Sequence, residues 1–434
     1  MNKKDTIFVH LPAYRDPELI PTIKDALAMA KYPKRIHFGI CRQYKEEDGF
    51  DDLTEFKEDK RFHIMEVPYL EAQGLPWARA QINEKLLTNQ DYILQLDSHH
   101  RFAQDWDETL IEMHKGLEEK GYKPILAAYL PLYNPFNDPD GRTMEPWQQQ
   151  FASFYPHGTI FIRPGLLHGW QEMIEPPMSR FLSGHFCFAR SEWAREIKHD
   201  PDIYFSGEEL NLTVRSYTHG YDIFHPHKLV VWHSTMREER AGMLKWDDDS
   251  RKGVDFNKKQ DYARKKIRVL LRTEEDPSID LTGYDLGTVR TLRDYEKYAG
   301  FHFKNKAVQK YTLDNQYPPN PYIEDESIWE QTFMKSFYYL VDVNKNDFPN
   351  NDYKHILIAF DDINGKSINS KYIEGERLRR FIEGIDRLHY EEFFLTNETP
   401  ARVVYWAYSE ERGWCERVEH KICLLYTSPS PRDQ

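Results

Sequence analysis

Cysteine is scarce: Cys41, Cys187, Cys415 and Cys423 are the only ones in 434 residues, and they are scattered without paired spacing. A disulfide framework is therefore excluded as the organising device, and a reduced, cytoplasmic setting is expected. Long apolar runs are also missing. The chain passes from Met1, Asn2, Lys3 and Lys4 straight into strand-like sequence, so neither a signal peptide nor a membrane span is expected, and the protein should be soluble with no membrane partner. Positive charge is in deficit. A formal net charge of −13 disfavours nonspecific binding to nucleic acid or an anionic membrane, which needs a basic field, although a local basic groove stays possible. No internal repeat is visible.

What is present is length and aromatic content. A chain of 434 residues is too long for one ordinary core, so two or three domains are expected. Aromatic residues make up 14% of it, enough to fill a core and still offer rings to planar or sugar ligands.

The most informative stretch is the apolar run at residues 92–96, followed at once by Asp97, Ser98, His99 and His100. Such a run is expected for a strand in a sheet covered on both faces. Polar groups at its carboxyl end then sit at the sheet rim, where open α/β folds bind ligands. Asp97 and His99 are two residues apart, so at strand spacing they point the same way and can converge on one ion. A carboxylate with an imidazole suits manganese or zinc better than calcium. Asp97, Ser98 and His99 are thus expected to hold a divalent cation that in turn holds the diphosphate of a sugar nucleotide. His100 points to the opposite face and is assigned to packing.

Around this centre the chain shows further α/β units. Residues 6–11 predict a first strand, residues 12–16 the loop leaving it, and Leu19, Ile20, Ile23 and Leu27 a helix. Strands are predicted over 35–40 and 62–67. The helix opened by Gly74, Leu75 and Pro76 carries Arg79 in its first turns, where a guanidinium can reach a phosphate or make a surface ion pair. Residues 133–150 form a long excursion. Residues 181–190 predict a strand with Gly184 where a ligand can approach closely. Glu208 and Glu209 open a helix whose N-terminus one of them can complement. Strands over 221–224 and 228–232 follow, the second ending at His233. The last third reads as a small, mainly β domain.

The phrases Leu11-Pro12-Ala13-Tyr14-Arg15-Asp16, Asp97-Ser98-His99, Gly207-Glu208-Glu209 and Gly283-Tyr284-Asp285-Leu286-Gly287-Thr288-Val289-Arg290-Thr291 together resemble the hydroxyproline-type polypeptide N-acetylglucosaminyltransferases over residues 5–300. That family is of retaining glycosyltransferases, distantly similar to the polypeptide N-acetylgalactosaminyltransferases. The resemblance implies an α/β fold of GT-A type, a Rossmann-like mixed sheet that binds a nucleotide sugar, here joined to a smaller, mainly β C-terminal domain. The implied layout is a catalytic domain at 1–300, a linker at 301–345 and a β-rich accessory domain at 346–423. Residues 424–434 look like translated sequencing adapter and are expected to be disordered. The implied cofactor is a divalent cation, usually manganese, with a UDP-sugar as donor. Asp97 and His99 would be metal ligands, with His233 corresponding to the third. Pro12, Tyr14 and Asp16 fall where such folds contact the nucleotide, Tyr14 stacking on the base and Asp16 bonding uracil or ribose. Arg79 would lie near the donor, and Glu208 and Glu209 would face donor sugar or acceptor.

The implied reaction moves a sugar, N-acetylglucosamine by precedent, from the UDP-sugar to a hydroxyl on a protein with retention at the anomeric carbon. An alternative acceptor is hydroxymethylated DNA, for which Lys252, Lys258, Lys259, Arg264, Lys265, Lys266 and Arg268 would have to form a basic groove. Two readings of another class are a metal-dependent hydrolase at Asp97, His99 and His233, and a noncatalytic sugar-binding protein.

Overall fold

The computed structural model describes residues 5–235, 243–385 and 388–422. The disorder expected of residues 424–434 and the reading of Met1 to Lys4 fall outside them. The chain divides into two units: Met1–Ser153, Thr159–Gly300 and Tyr311–Tyr322 form the first, and Phe154–Gly158, Phe301–Lys310 and Ile323–Gln434 the second.

The strands that position the site in the first unit are β1 (Ile7–Tyr14), β2 (Ile36–Tyr44), β3 (Phe62–Pro68), β4 (Tyr92–Leu96), β5 (His100–Phe102), β6 (Pro124–Ala127), β7 (Phe186–Arg190), β8 (Asp222–Phe224) and β9 (Val231–His233). The helices packed around them include α1 (Leu19–Met29), α2 (Leu75–Lys85), α3 (Trp106–Glu118), α4 (Glu208–Thr218) and α5 (Lys245–Arg251). A 7-stranded mixed sheet runs β8-β6-β7-β4-β1-β2-β3. Within it β1 is parallel to β2 and β4, whereas β7 is antiparallel to β4 and β6. The α/β mixed sheet read from the sequence is present.

The apolar run at 92–96 is β4, with the bounds expected. Tyr92, Leu94 and Leu96 belong to one core cluster with Val9 and Phe188, while Ile93 belongs to another with Phe8 and Cys187. Both faces are covered, and the one polar residue of the strand, Gln95, is fully buried with its Nε2 donating to Gly184 O. Each such buried side chain contributes roughly 1.5–3 kcal/mol.

Two expectations are corrected. Pro12 to Tyr14 are not loop but the end of β1, paired with Cys41, Arg42 and Gln43. Pairing with β4 stops at His10, so Pro12 lies where β1 has a neighbour on one side only, and its missing N–H leaves no ladder bond unmade there. Conversely, residues 181–185 do not continue β7. Their backbone groups are taken by side chains: Thr213 Oγ1 accepts from Leu182 N, Gln149 Nε2 donates to Leu182 O, and Gln95 Nε2 donates to Gly184 O.

The second unit holds two antiparallel sheets. One contains Phe301–His302, Ala307–Gln309, Phe333–Val343 and Leu388–Thr396 in that order, the other Ser367–Ile373, Tyr353–Asp361, Arg402–Ser409 and Gly413–Lys421. Ile356, Ile358, Phe360, Leu388 and Val403 are part of its core. Residues 301–345, read as linker, carry the first three of these strands. Among the described residues no helix is long and apolar enough to cross a membrane.

Candidate active site

The strands β1, β4 and β9 deliver their site residues from their carboxyl ends, whereas β7, antiparallel to β4, meets the same rim with its amino end. Asp97 and His99 follow β4, as expected. His233 closes β9, which pairs antiparallel with β5 so that His233 stands opposite His100. This register carries an imidazole from 134 residues downstream to the Asp97 loop, a separation set by β-pairing rather than by local sequence.

The result is a cluster of Asp97, His99 and His233 whose ligand atoms all lie within 4.8 Å of one another. His99 Nε2 is 3.9 Å and His233 Nε2 3.6 Å from Asp97 Oδ2. Both separations exceed a hydrogen bond. They approach the spacing of about 3–3.5 Å that ligands take when each lies roughly 2.1 Å from one ion. His233 Nε2 is buried and makes no hydrogen bond, which leaves it available as a ligand atom beside the Asp97 oxygen. One carboxylate and two imidazoles fit a manganese- or zinc-type cation. Burial alone would raise the Asp97 carboxyl, but His233, Arg79 and His99 hold it well below the usual range. Burial pulls the His233 imidazole down, so both groups favour the deprotonated forms that ligate metal.

Beside the cluster lies a cavity of about 210 Å³ lined by Pro12, Tyr14, Asp97, Ser98, His99 and His233 among others. Gln43, Tyr204, Phe205, Leu244, Lys245 and Trp246 complete much of its wall. The last three belong to the start of α5 and the residue before it. That helix is fastened by Asp248 Oδ2, which accepts from Tyr14 OH at 2.7 Å and from Arg15 Nη1 at 2.9 Å, and by Asp249 Oδ2, which accepts from Tyr204 OH at 2.5 Å. Tyr14 thus lines the cavity with its hydroxyl engaged.

The remaining expected residues stand behind this wall. Arg79 neither reaches the cavity nor makes a surface pair: its side chain is fully buried, with Nη2 donating to Asp97 Oδ1 and Nη1 to Glu208 Oε1, each at 2.7 Å. A buried guanidinium needs such pairing. Gly184 serves close packing within the protein. A Cβ there would meet Arg79 Nη1 at 3.3 Å and Glu208 Oε2 at 3.6 Å. Asp16 is buried beneath the loop of Ser98 and His99 rather than in the cavity lining.

Glu208 and Glu209 are adjacent but differ in state. Despite burial, Arg79 and His199 hold Glu208 below the ordinary carboxyl value. Burial pushes Glu209 up to about 7, against the Tyr129 hydroxyl and Gly184 N–H that donate to its two oxygens at 2.6 and 2.8 Å. Tyr129 in turn stacks on His185, and His185 on His233 with ring centroids 4.3 Å apart. His185, Tyr129, His199, Lys245 and Trp246 were not singled out from the sequence. Only the nearness of His185 to Gly184 and of Trp246 to an acidic run hinted at them.

The family described as Glycosyltransferase (GlcNAc) matches the chain over residues 6–55 and 50–305. The chain belongs to this family. That span takes in every residue of the glycosyltransferase site described above. No curated protein matches the chain significantly. Among solved structures, GalNAc-T7 with UDP, GalNAc and Mn2+ is 12% identical, the alignment covering 96% of this chain and 69% of that one, with a TM-score of 0.49. TarS of S. aureus is 9% identical over 96% of this chain and 77% of its own, at 0.37. Its residues 1–349 in complex with UDP-GlcNAc are 13% identical over 53% of this chain and 59% of that one, at 0.35.

The basic run required for a DNA acceptor is largely neutralised in this glycosyltransferase. Lys266 is buried against Asp200 and Asp202, and Arg264, Lys265 and Arg268 pair with Asp261, Asp276 and Glu274.

Proposed function

We propose that the first unit is the catalytic domain of a metal-dependent retaining glycosyltransferase of the hydroxyproline-type kind, moving N-acetylglucosamine from a UDP-sugar to a hydroxyl on a protein. The observation that carries this reading is the convergence of Asp97, His99 and His233 from two separate strand ends at the wall of one cavity. Family membership supports the transfer chemistry and the sugar.

Tyr14, Gln43 and Pro12 form the end of the cavity suited to the uracil and ribose, with the Tyr14 ring presented edge or face to the base. Asp97, His99 and His233 would hold a divalent cation, manganese by preference, and that ion would supply Lewis-acid charge to the diphosphate. Lys245 adds a cation in the same wall, its ammonium steadied by Asp249. Trp246 and Phe205 line the same cavity with their rings 6.0 Å apart in a T arrangement. Arg79 keeps Asp97 and Glu208 ionised and fixed. Glu209, behind the wall, fixes Tyr129 and the Gly184 backbone rather than meeting the sugar itself. Retention needs no strong enzymic base when the leaving phosphate takes the acceptor proton on the same face.

The test is a screen of UDP-sugars for manganese-dependent thermal stabilisation, followed by incubation of the best donor with hydroxyproline peptides and with hydroxymethylated DNA. A peptide gaining the mass of one N-acetylhexosamine is the expected product. Glycosylated DNA would move the acceptor to nucleic acid, and rapid donor hydrolysis without any acceptor would replace transfer by hydrolysis.

A further inference from the structure

We infer that Asp16 is a positioning residue for the metal site, selecting the tautomer of His99 that can ligate, and that it makes no contact with the nucleotide. The inference rests on the metal reading given under Proposed function and deepens it. Its starting point is a backbone feature. Arg15, just past β1, has φ 47°, a left-handed conformation uncommon for a residue with a Cβ. Arg15 is held there by Asp48, at 2.6 Å from its Nε, and by Asp248. Strain that is held in place at a cleft often marks a working part.

The turn sends the Asp16 side chain inward, where it has no exposed surface. Its Oδ2 accepts from Ser98 Oγ at 2.5 Å and meets His99 Nδ1 at 2.7 Å, while Oδ1 accepts from Glu18 N at 3.0 Å. An ionised carboxylate can only accept, so the proton of this short contact sits on His99 Nδ1. A neutral ring has one proton. The lone pair is therefore left on Nε2, the atom that faces Asp97 Oδ2 at 3.9 Å. Without Asp16 the ring is free to carry its proton on Nε2, where it would repel a cation, and to rotate away. Arg79 does the matching work on the other ligand by occupying Asp97 Oδ1 and leaving Oδ2 to the centre. Carboxylate support of this sort typically changes metal affinity about 10–100-fold.

The experiment titrates Mn2+ into the full chain and follows the melting temperature, then repeats the titration with UDP at saturating Mn2+. Asp16→Ala is expected to raise the half-saturating Mn2+ concentration at least about tenfold. Asp16→Asn keeps the shape and an acceptor for Nδ1–H, so it is expected to lie between wild type and Asp16→Ala, and it serves should the alanine variant not fold. UDP affinity at saturating Mn2+ is expected to stay at the wild-type value in Asp16→Asn. Thr22→Val is the control for general loop support, since Thr22 Oγ1 bonds the backbone of Ser98 and His100 without touching His99. It should leave the Mn2+ response near wild type. Wild-type Mn2+ affinity in both Asp16 variants, with His99→Ala losing the response, would overturn the inference alone. So would a loss of UDP affinity at saturating Mn2+, or an equal loss in Thr22→Val. If wild type and His99→Ala respond to Mn2+ alike, the metal reading itself falls and takes this assignment with it.

Discussion

The ligand end of the first unit's sheet and the core of the second unit are both buried, yet they are built from opposite materials. In the second unit Ile356, Ile358, Phe360, Leu388 and Val403 fill the space between sheets, and nothing in their chemistry depends on direction. Behind the cavity of the first unit the buried groups are Arg79, Glu208, His199 and Gln95, joined to Asp97 in the cavity wall by directed contacts: Arg79 bridges Asp97 and Glu208, His199 Nδ1 lies 3.4 Å from Glu208, and His199 Nε2 lies 2.7 Å from the Gln95 side-chain oxygen. Apolar packing tolerates many residues of similar volume, whereas a buried polar network is costly unless every member is satisfied.

The sharpest break of that contrast is Asp97→Ala. Several kcal/mol of charge stabilisation would go, so transfer from UDP-sugar to peptide should fall about a thousandfold or more, while Arg79 keeps Glu208 as partner and the melting curve stays cooperative. Product mass and a melting scan read the two sides. Next comes Arg79→Met, which leaves two buried carboxylates without their cation and should cost roughly 3–5 kcal/mol in urea unfolding. A smaller loss would mean that the polar interior is no more demanding than the apolar one.

Glu209 gives a pH handle. Its carboxyl is raised to about 7 in the folded protein, so the fold binds more protons than the unfolded chain between the ordinary carboxyl value and that point. Stability from this group is fully present at low pH and is lost as pH rises through about 7. Glu209→Gln should remove that slope, on the order of 3 kcal/mol, and become relatively more stable than wild type at pH 8, as melting temperature against pH would record. In the other interior Ile358→Val should cost only about 0.5–1.5 kcal/mol and show no pH dependence. At the surface, removing the exposed Lys24–Glu55 pair should change unfolding by less than about 1 kcal/mol.

These expectations also mark what could be read without a structure. β4 was legible at its bounds because a strand covered on both faces is mostly apolar, here broken only by Gln95, and has a sharp polar end. Asp97 and His99 were legible for the same reason, being neighbours whose spacing is itself a geometric statement. Arg79 was legible as a residue of interest but not in its position, since its partner Glu208 lies 129 residues away. The end of β1 was misjudged because Pro12 looks like a terminator until the one-sided pairing is known. Phe333–Val343 went unread because its burial alternates irregularly, with only three of its 11 positions buried.

Composition and the periodicity of apolar residues were enough to settle an α/β fold with a smaller β-rich part and to place Asp97 and His99 just past a strand, because each depends on neighbours within a few residues. Which atoms meet was decided only by the tertiary structure. His233 reaches Asp97 through strand pairing, Asp16 turns under His99 through a strained residue, and Lys245 and Trp246 wall the cavity from a helix fastened by Asp248 and Asp249. Contacts of that kind arise from the packing of distant segments, and no local pattern in the chain encodes them.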